Sequence, residues 1–550
     1  MTIVTTGVTT GTAAGVPAGT TVRQAVLDLL RAEGVTAVFG NPGSTELTFL
    51  RDWPDDIRYV LGLQEASVVA MADGYAQGMG RPAFVNLHSA AGVGHSLGNL
   101  FTAFRNGTPM VVTAGQQARS LLPRAPYLFA ERATEFPRPY VKWASEPARA
   151  EDVPDAVAHA FAVARTPPFG PTFVSVPVDD WLKPCAPVAA RRIHARTRPD
   201  PEALQALGAA LAAARRPALV MGPEVDSDGG WAAGVALAER LRAPCFASPN
   251  SHRASFPEDH ALFAGFLPAA PGPLAATLDG FDVVAVFGAP VFTFHVEGHC
   301  ALFDPGGPDI WQVTADPAAA AGAAAGTSIL GSVCPALQAL LDSVPSPSQP
   351  MPAPRSRPAP PPGGALTAEQ VLHTLAEALP PNAIVAEEAP SHRTAIQRHL
   401  PIRRPGSFFT MASGGLGWSL PAAVGLALAS PGRRVAAIIG DGSMMYSIQA
   451  LHTAAQLRLP LTVVVLNNGG YGAMRAFSRS MGLQGAPGID IAGLDFPALA
   501  AGHGCAGVRV ETAQAFAAAL ARALRDDRPW VIDAAVDPSF GELYVAKPPA

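Results

Sequence analysis

The chain alternates two patterns of hydrophobic spacing along most of its length. Helical spacing covers stretches such as Val22–Glu33, Glu65–Gly78 and Val153–Arg165, and short apolar runs rich in β-formers, such as Ala83–Leu87 and Thr172–Val176, lie between them. Parallel strands need a crossover connection, which is usually a helix, so this alternation is typical of a parallel sheet covered by helices. The pattern predicts an α/β protein.

Two interruptions of this alternation divide the chain into three blocks. A polar stretch with Pro and Arg near residue 190 separates a first block at 21–187 from a second at 200–344. A run of Pro, Ser, Ala and Arg at 345–364 is predicted to be a semi-extended linker, and a third block follows at 365–540. The blocks are similar in length and pattern, so we predict three doubly wound parallel-sheet domains.

Composition narrows the class of protein further. The chain is 49% hydrophobic and 15% charged, with a net charge of −5 and no long basic run, which argues against nucleic acid or an anionic membrane as a partner. The five cysteines are scattered without a CxxC motif, which favours free buried thiols in a reducing cytoplasm. Residues 1–20 lack the basic and apolar regions of a signal peptide, so we predict a flexible tail there and a cytoplasmic protein.

A strand–turn–helix–strand unit in the third block carries the clearest chemistry. The strand-like run Arg434–Gly440 continues into the motif Gly-Asp-Gly-Ser, and a helical pattern follows at Tyr446–Leu459. The next strand-like run, Leu461–Asn467, ends in paired asparagines. Parallel sheets bind ligands outside the carboxyl ends of their strands, so we expect Asp441 and Asn468 to lie close together.

These two side chains suit a metal ion that is bound together with a phosphate group. A carboxylate and an amide oxygen are ligands that Mg²⁺ prefers, and Mg²⁺ in proteins often bridges to phosphate. Gly440 and Gly442 allow backbone N–H groups to approach a diphosphate without a Cβ in the way. The motif alone favours an ordinary turn, but its pairing with the asparagines favours a diphosphate and metal site.

Segments in all three blocks occur in an order that marks one family. They are Phe39–Glu46, Leu63–Ala66, Ala72–Gln77, Asn86–Gly92, Val112–Gln117, Gly288–Phe292, Gly414–Gly417 and Gly440–Ala473. Together they resemble the benzoylformate decarboxylase family of thiamine diphosphate-dependent 2-oxoacid decarboxylases. The resemblance spans about residues 21–537 and therefore covers all three blocks.

The resemblance implies a reaction, two cofactors and an assembly. The reaction is the non-oxidative decarboxylation of an aromatic 2-oxoacid, benzoylformate to benzaldehyde and CO₂, through the ylide of thiamine diphosphate and an enamine. Such a reaction belongs to mandelate catabolism. The first block becomes the pyrimidine-binding domain, and the third becomes the domain that binds diphosphate and Mg²⁺. The cofactor is expected between two subunits, so a homodimer is the minimum unit and a homotetramer is expected.

Four residues acquire catalytic roles from this resemblance. Glu65 bonds the aminopyrimidine ring of the cofactor, and Ser44 holds the substrate carboxylate. His88 and His295 transfer protons, as two imidazoles can near neutral pH. His299 is close enough in sequence to compete with His295, although the order Val-Phe-Thr-Phe-His fits the family loop better.

The resemblance also implies a cofactor site and a substrate pocket. The cofactor-binding residues are Gly414, Leu416, Gly440, Asp441, Gly442, Ser443, Asn468 and Tyr471, and the Mg²⁺ ligands are Asp441, Asn468 and the Gly470 carbonyl. The pocket residues are Leu128, Phe129, Pro390, Met474, Phe477 and Ile489. Three of them depart from the family, because Pro390 replaces threonine and Met474 and Ile489 replace leucine. The pocket is still expected to be apolar and wide enough for an aryl ring.

Two other functions remain open at this point. A carboligase of the acetolactate synthase or benzaldehyde lyase type shares the fold and the cofactor, and acetolactate synthases often carry FAD. The pair His88 and His295 favours the decarboxylase. A non-catalytic relative would share the fold only, and the presence of Glu65, Asp441 and Asn468 together argues against it.

Overall fold

A computed structural model describes residues 20–345, 350–353, 355–483 and 485–539 of the chain. Within this part of the chain the strands form three six-stranded sheets, one in each predicted block. All neighbouring strands within these sheets pair in parallel. The prediction of three doubly wound parallel-sheet domains is confirmed. The predicted tail at 1–20 lies outside the described residues except for Thr20.

The first block is a helix-covered sheet. Its strands are β1 (Ala37–Gly40), β2 (Arg58–Leu61), β3 (Ala83–Leu87), β4 (Met110–Gln116), β5 (Ala144–Ser145) and β6 (Pro171–Pro177). Its helices are α1 (Val22–Ala32), α2 (Leu47–Leu50), α3 (Glu65–Met79), α4 (Ser89–Arg105) and α5 (Val153–Ala164). The strand order is β2-β1-β3-β4-β6-β5. The side chain of Thr21 accepts a hydrogen bond from the N–H of Gln24 and so caps α1.

The second block has a different strand order. Its strands are β7 (Pro217–Met221), β8 (Cys245–Ala247), β9 (Phe263–Phe266), β10 (Val283–Phe287), β11 (Asp309–Thr314) and β12 (Thr327–Leu330). Its helices are α6 (Pro201–Ala213), α7 (Pro223–Ser227), α8 (Trp231–Leu241), α9 (Pro271–Thr277), α10 (Pro317–Ala321) and α11 (Val333–Ser343). The order β9-β8-β7-β10-β11-β12 reverses between β7 and β10, as in many doubly wound sheets.

The third block repeats the topology of the first. Its strands are β13 (Ile384–Glu388), β14 (Phe408–Thr410), β15 (Val435–Gly440), β16 (Leu461–Asn467), β17 (Ala506–Val510) and β18 (Trp530–Ala535). Its helices are α12 (Ala368–Ala378), α13 (Arg393–His399), α14 (Ser419–Ala429), α15 (Asp441–Met444), α16 (Ala450–Gln456), α17 (Gly472–Ser480), α18 (Phe496–Gly502) and α19 (Ala513–Ala523). The order β14-β13-β15-β16-β18-β17 matches that of the first block position by position.

Two features expected from the composition are present. The five cysteines are buried and free, as predicted. Among the helices of the described residues, none is long and apolar enough to cross a membrane.

Helices α3 and α14 cross closely and join the first block to the third. One apolar core contains residues of both helices and of both sheets. At the crossing, a Cβ on Gly74 would collide with the carbonyl oxygen of Ala422, and a Cβ on Gly425 would collide with that of Met71. The two backbones therefore approach more closely than any larger residue at these positions would allow.

A buried carboxylate also stabilises the contact between the first block and the third. Asp73 of α3 is fully buried and accepts a hydrogen bond from the indole N–H of Trp418 at 2.7 Å. It also accepts hydrogen bonds from the side chains of Gln77, Asn106 and Thr108. Burial raises the pKa of Asp73, and these four donors oppose that shift. The contact ties the start of α14 to the first block, because Trp418 immediately precedes that helix.

Replacing Gly425 with alanine is expected to destabilise the chain. The added methyl group meets the backbone of α3, which cannot move aside without shifting the whole helix, and overpacking of this kind costs roughly 1–3 kcal/mol. Gly272→Ala is the control, since Gly272 is exposed in α9 with no neighbouring atom within 4 Å of the added carbon. Thermal unfolding should show a lower melting temperature for Gly425→Ala only. Equal melting temperatures would contradict the close crossing.

Candidate active site

Three neighbouring strands of the third block end at a cleft of about 2000 Å³. Asp441 follows β15 and Asn468 follows β16, and the two strands pair directly. The carboxylate of Asp441 accepts hydrogen bonds from the N–H groups of Gly442 and Gly470, both at 2.8 Å. The two predicted metal ligands are therefore brought to one place by the sheet, as the carboxyl-end rule predicts.

Asn468 has a buried side-chain oxygen without a hydrogen-bond partner among the described residues. Buried polar atoms are rarely left unpaired, so this oxygen is suited to a ligand that accepts electron pairs. Burial raises the pKa of Asp441, whereas a cation beside it would favour the carboxylate. Asp441 and Asn468 could offer oxygen donors of the kind that Mg²⁺ prefers.

The glycine motif forms a cradle beside these ligands. All of the predicted cofactor-binding residues line the same cleft, namely Gly414, Leu416, Gly440, Asp441, Gly442, Ser443, Asn468 and Tyr471. A Cβ on Gly442 would collide with the ring of Tyr471, so only glycine fits that position. Leu416 reaches the cleft while it packs against the shared apolar core. Together these residues offer backbone N–H groups, a hydroxyl and an apolar support to one ligand.

Glu388 fixes the loop that carries Leu416, a role that the sequence did not suggest. It ends β13 and accepts hydrogen bonds from the N–H groups of Gly417, Trp418 and Ser419 at 2.6, 2.9 and 2.7 Å. Burial raises its pKa to about 7, and the three N–H donors act in the opposite direction. Its position at a strand end was the available signal, but a carboxylate there has many other uses.

The predicted substrate residues of the second and third blocks lie in the same cleft. Pro390, Met474 and Phe477 line it together with His295, and the rings of His295 and Phe477 have centroids 5.2 Å apart. His299 is absent from the described lining of the cleft, and its Nε2 contacts Asp304 at 2.9 Å. Of the two histidines between which the sequence left a choice, His295 therefore lines the cleft, whereas His299 is absent from its described lining.

A second cluster occupies the equivalent strand ends of the first block. Ser44, Glu65 and His88 follow β1, β2 and β3, which are neighbours in the sheet. Glu65 is buried, and its two oxygens contact Asn41 Nδ2 at 3.2 Å and His95 Nδ1 at 3.1 Å. Ser44 is exposed.

Glu46 orients His88, and sequence reasoning did not assign it a role. The carboxylate of Glu46 is buried and lies 2.7 Å from His88 Nδ1. It also accepts hydrogen bonds from the N–H groups of Gly43 and Gly115 and from the hydroxyl of Thr45. A carboxylate can only accept, so Nδ1 carries a proton and Nε2 remains available.

One chain does not bring the two clusters together. Ser44, Glu65 and His88 are not among the described residues that line the third-block cleft, and neither are Leu128 and Phe129. The expectation that Leu128 and Phe129 lie at the same opening as Pro390 is thus not met within a single chain. The physical reason is that they lie in the loop that joins β4 to β5 of the first block, away from the strand ends of the third block.

Ile489 also lies apart from the described lining of the cleft. Its carbonyl oxygen accepts a hydrogen bond from the N–H of Tyr471. Its main chain therefore supports the turn that carries the predicted metal ligands.

Comparison with known proteins shows the family to which the chain belongs. The model of the thiamine pyrophosphate enzyme N-terminal TPP-binding domain matches residues 20–133, that of the central domain matches 204–340, and that of the C-terminal TPP-binding domain matches 389–534. Both strand-end clusters fall within the matched TPP-binding regions. The fold and the site thus define a thiamine pyrophosphate enzyme.

Individual relatives narrow this class. Benzoylformate decarboxylase of Pseudomonas aeruginosa is 44% identical, over 93% of this chain and 98% of the relative. The structure of a thiamine diphosphate-dependent 4-hydroxybenzoylformate decarboxylase of Rhodococcus jostii RHA1 is 42% identical, with a TM-score of 0.91 over 94% of this chain and 100% of the other. That of benzoylformate decarboxylase of Polynucleobacter necessarius is 40% identical, with a TM-score of 0.90 over 95% and 100%. The chain belongs to the benzoylformate decarboxylase family of thiamine diphosphate-dependent enzymes.

Glu46→Gln is expected to lower kcat for 2-oxoacid decarboxylation by roughly 10- to 100-fold with little change in KM. A glutamine can donate a hydrogen bond from its N–H₂ group to Nδ1. This would favour the other tautomer of His88, in which the proton is on Nε2. Glu33→Gln is the control, because Glu33 is another buried carboxylate of the first block and pairs with Arg165. Steady-state kinetics should separate the two variants. An unchanged kcat in Glu46→Gln would contradict this role.

Proposed function

We propose that the chain decarboxylates an aromatic 2-oxoacid, benzoylformate to benzaldehyde and CO₂, with thiamine diphosphate and Mg²⁺ as cofactors. The observation that carries the proposal is the third-block cleft, where the unpaired Asn468 Oδ1 and the Asp441 carboxylate lie beside an apolar wall that includes Phe477. The reaction consumes one proton, since the acid anion becomes an aldehyde and CO₂. The chain must therefore hold both an aryl group and a proton donor.

The residues of the cleft fit both cofactors. Asp441, Asn468 and the Gly470 carbonyl would hold Mg²⁺, and Gly442 and Ser443 would bind the diphosphate. When bound, thiamine diphosphate supplies the thiazolium group that accepts the electron pair released with CO₂.

The side chains around that position have separate tasks. Ser44 would donate its hydroxyl to the substrate carboxylate. Glu65 would hold a proton shared with the pyrimidine ring of the cofactor. His88 presents Nε2, because Nδ1 donates to Glu46, so Nε2 is the atom that takes up or releases the proton. His295 delivers a proton from the other wall, and Phe477 beside it excludes water.

A complete site requires two copies of the chain. Within one chain the cluster of Ser44, Glu65 and His88 lies outside the cleft that Asp441 lines. The first block exposes apolar side chains, among them Leu47, three residues after Ser44, and Tyr127. A partner subunit packed against the first block would cover them. A homodimer, or a tetramer of two such dimers, would bring Glu65 of the partner subunit to the cleft of the first.

Aldehyde release tests the substrate and the cofactors together. We expect benzaldehyde from benzoylformate faster than acetaldehyde from pyruvate, with thiamine diphosphate and Mg²⁺ added, because the wall of the cleft is apolar. Chelating the metal with EDTA should abolish turnover, and added Mg²⁺ should restore it.

The products also separate the alternatives. Benzoin as the main product would indicate a carboligase instead of a decarboxylase. No product from either acid, with both cofactors bound, would contradict the proposed substrate class and leave the family assignment intact.

Mixed oligomers test whether the site is shared. Glu65→Gln and Asp441→Asn should each be nearly inactive as pure proteins, because each lacks one half of every site. Coexpression at equal levels should recover about a quarter of wild-type activity, since half of random dimers are mixed and each mixed dimer keeps one intact site. Activity assays on the purified mixture measure this recovery. A mixture as inactive as its components would contradict the shared site.

A further inference from the structure

His392 contacts the amide of Asn468 on the side away from its unpaired oxygen. The residue closes the short 3₁₀ turn Pro390–His392, which follows strand β13. Its side chain is buried, with 4% exposed, and its Nε2 lies 3.3 Å from Asn468 Nδ2. This contact was not anticipated from the sequence, in which His392 and Asn468 are far apart.

The contact can hold the Asn468 amide in one orientation when the imidazole is protonated at Nδ1. An amide presents N–H₂ at one end and an oxygen at the other, and its orientation follows from its hydrogen-bond partners. With the N–H₂ end facing His392, an imidazole protonated at Nδ1 accepts the hydrogen bond at Nε2. The opposite end, Oδ1, is then left without a partner among the described residues and free to bind a cation. In the reversed orientation, the oxygen would face the imidazole and could not serve as a ligand.

We propose that His392, protonated at Nδ1, is a positioning residue for the metal site: its Nε2 accepts a hydrogen bond from the Asn468 N–H₂ group, which would leave Oδ1 available to a bound Mg²⁺. The inference rests on the metal site of the proposed function. Groups behind metal ligands commonly act in this way, since they fix the orientation of the ligand that contacts the metal.

The turn that carries His392 is held at both ends. The hydroxyl of Ser391 accepts a hydrogen bond from the N–H of Ala473 at 2.9 Å, which joins the turn to the start of α17. The guanidinium of Arg393 pairs with the buried carboxylate of Glu387 at 2.7 Å. His392 lies between these two contacts, so its main chain is anchored on either side. Such support suits a group whose task is to hold an orientation.

Simple core packing is the competing explanation for a buried imidazole, and the chain offers a control for it. His399 lies in the same block and is buried to the same degree, with 4% exposed. It lies in α13 and packs against His373. Replacing either histidine with leucine fills a similar space without an acceptor. A packing role predicts equal effects, whereas a positioning role predicts an effect on metal binding only at His392.

The test is a Mg²⁺ titration of the full-length protein in saturating thiamine diphosphate, followed by calorimetry and tryptophan fluorescence. We expect His392→Leu to weaken Mg²⁺ binding by roughly 10- to 100-fold, the range found when such supporting contacts are lost. His392→Gln should recover most of the affinity, because its carbonyl oxygen can accept the same N–H. His399→Leu should bind Mg²⁺ like the wild type. Melting temperatures of the metal-free proteins show whether each variant folds.

The outcomes are distinguishable. Wild-type affinity in His392→Leu, or an equal loss in His399→Leu, would overturn the role of His392. A loss in His392→Leu that His392→Gln does not restore would also overturn it, because the accepting atom would then be irrelevant. A wild-type protein that binds no Mg²⁺ would instead overturn the metal site of the proposed function.

Discussion

The crossing of α3 and α14 is the constraint on which the rest of the structure depends. Gly74 and Gly425 let the two backbones touch, and the core formed there includes both the first-block and the third-block sheets. Helix α3 begins at Glu65, and α14 begins directly after the loop that carries Leu416. The crossing therefore fixes both strand-end clusters relative to each other. Within one chain, the described residues that line the cleft of Asp441 do not include Ser44, Glu65 or His88.

Buried carboxylates fix the positions of the loops near this helix crossing. Glu388 binds three consecutive N–H groups at the start of α14, and Glu46 binds two N–H groups, a hydroxyl and the ring of His88. Asp73 joins the two blocks in the same manner through Trp418. Each carboxylate is buried with multiple donors, which satisfies the condition for placing charge in a protein interior. These acids hold functional groups in place and do not line the cleft themselves.

The sequence predicted those features of the site that depend on the local pattern of strands and of the residues that follow them. The run Leu461–Asn467 was predicted with the bounds that β16 has, and the rule for parallel strand ends brought Asp441 and Asn468 together. The helix predicted at Tyr446–Leu459 was less accurate, because α16 begins only at Ala450 and a separate turn, α15, starts at Asp441. The motif needs its own turn there to direct backbone N–H groups into the cleft.

Contacts between residues that are far apart in the chain could not be predicted from the sequence, and the reason is physical. A lone glutamate or histidine carries no sequence signal for its partner, so Glu46, Glu388 and His392 had no predicted roles. The same holds for the separation of the two clusters, which depends on how α3 packs against α14 and not on any motif. Periodicity indicates which face of an element is buried, but it does not specify which element covers that face.

The arrangement of polar groups at these strand ends lowers the stability of the folded protein, as the unpaired oxygen of Asn468 shows. A buried acceptor without a partner destabilises a protein by roughly 1–3 kcal/mol, and the neighbouring Asp441 carboxylate is also held in a site where burial raises its pKa. The strands that precede these two residues, β15 and β16, are almost fully buried, and this burial offsets the loss of stability. A bound cation would satisfy both groups at once. Binding of such a cation would therefore stabilise the third block, because the cation would interact only with the folded arrangement of strand ends.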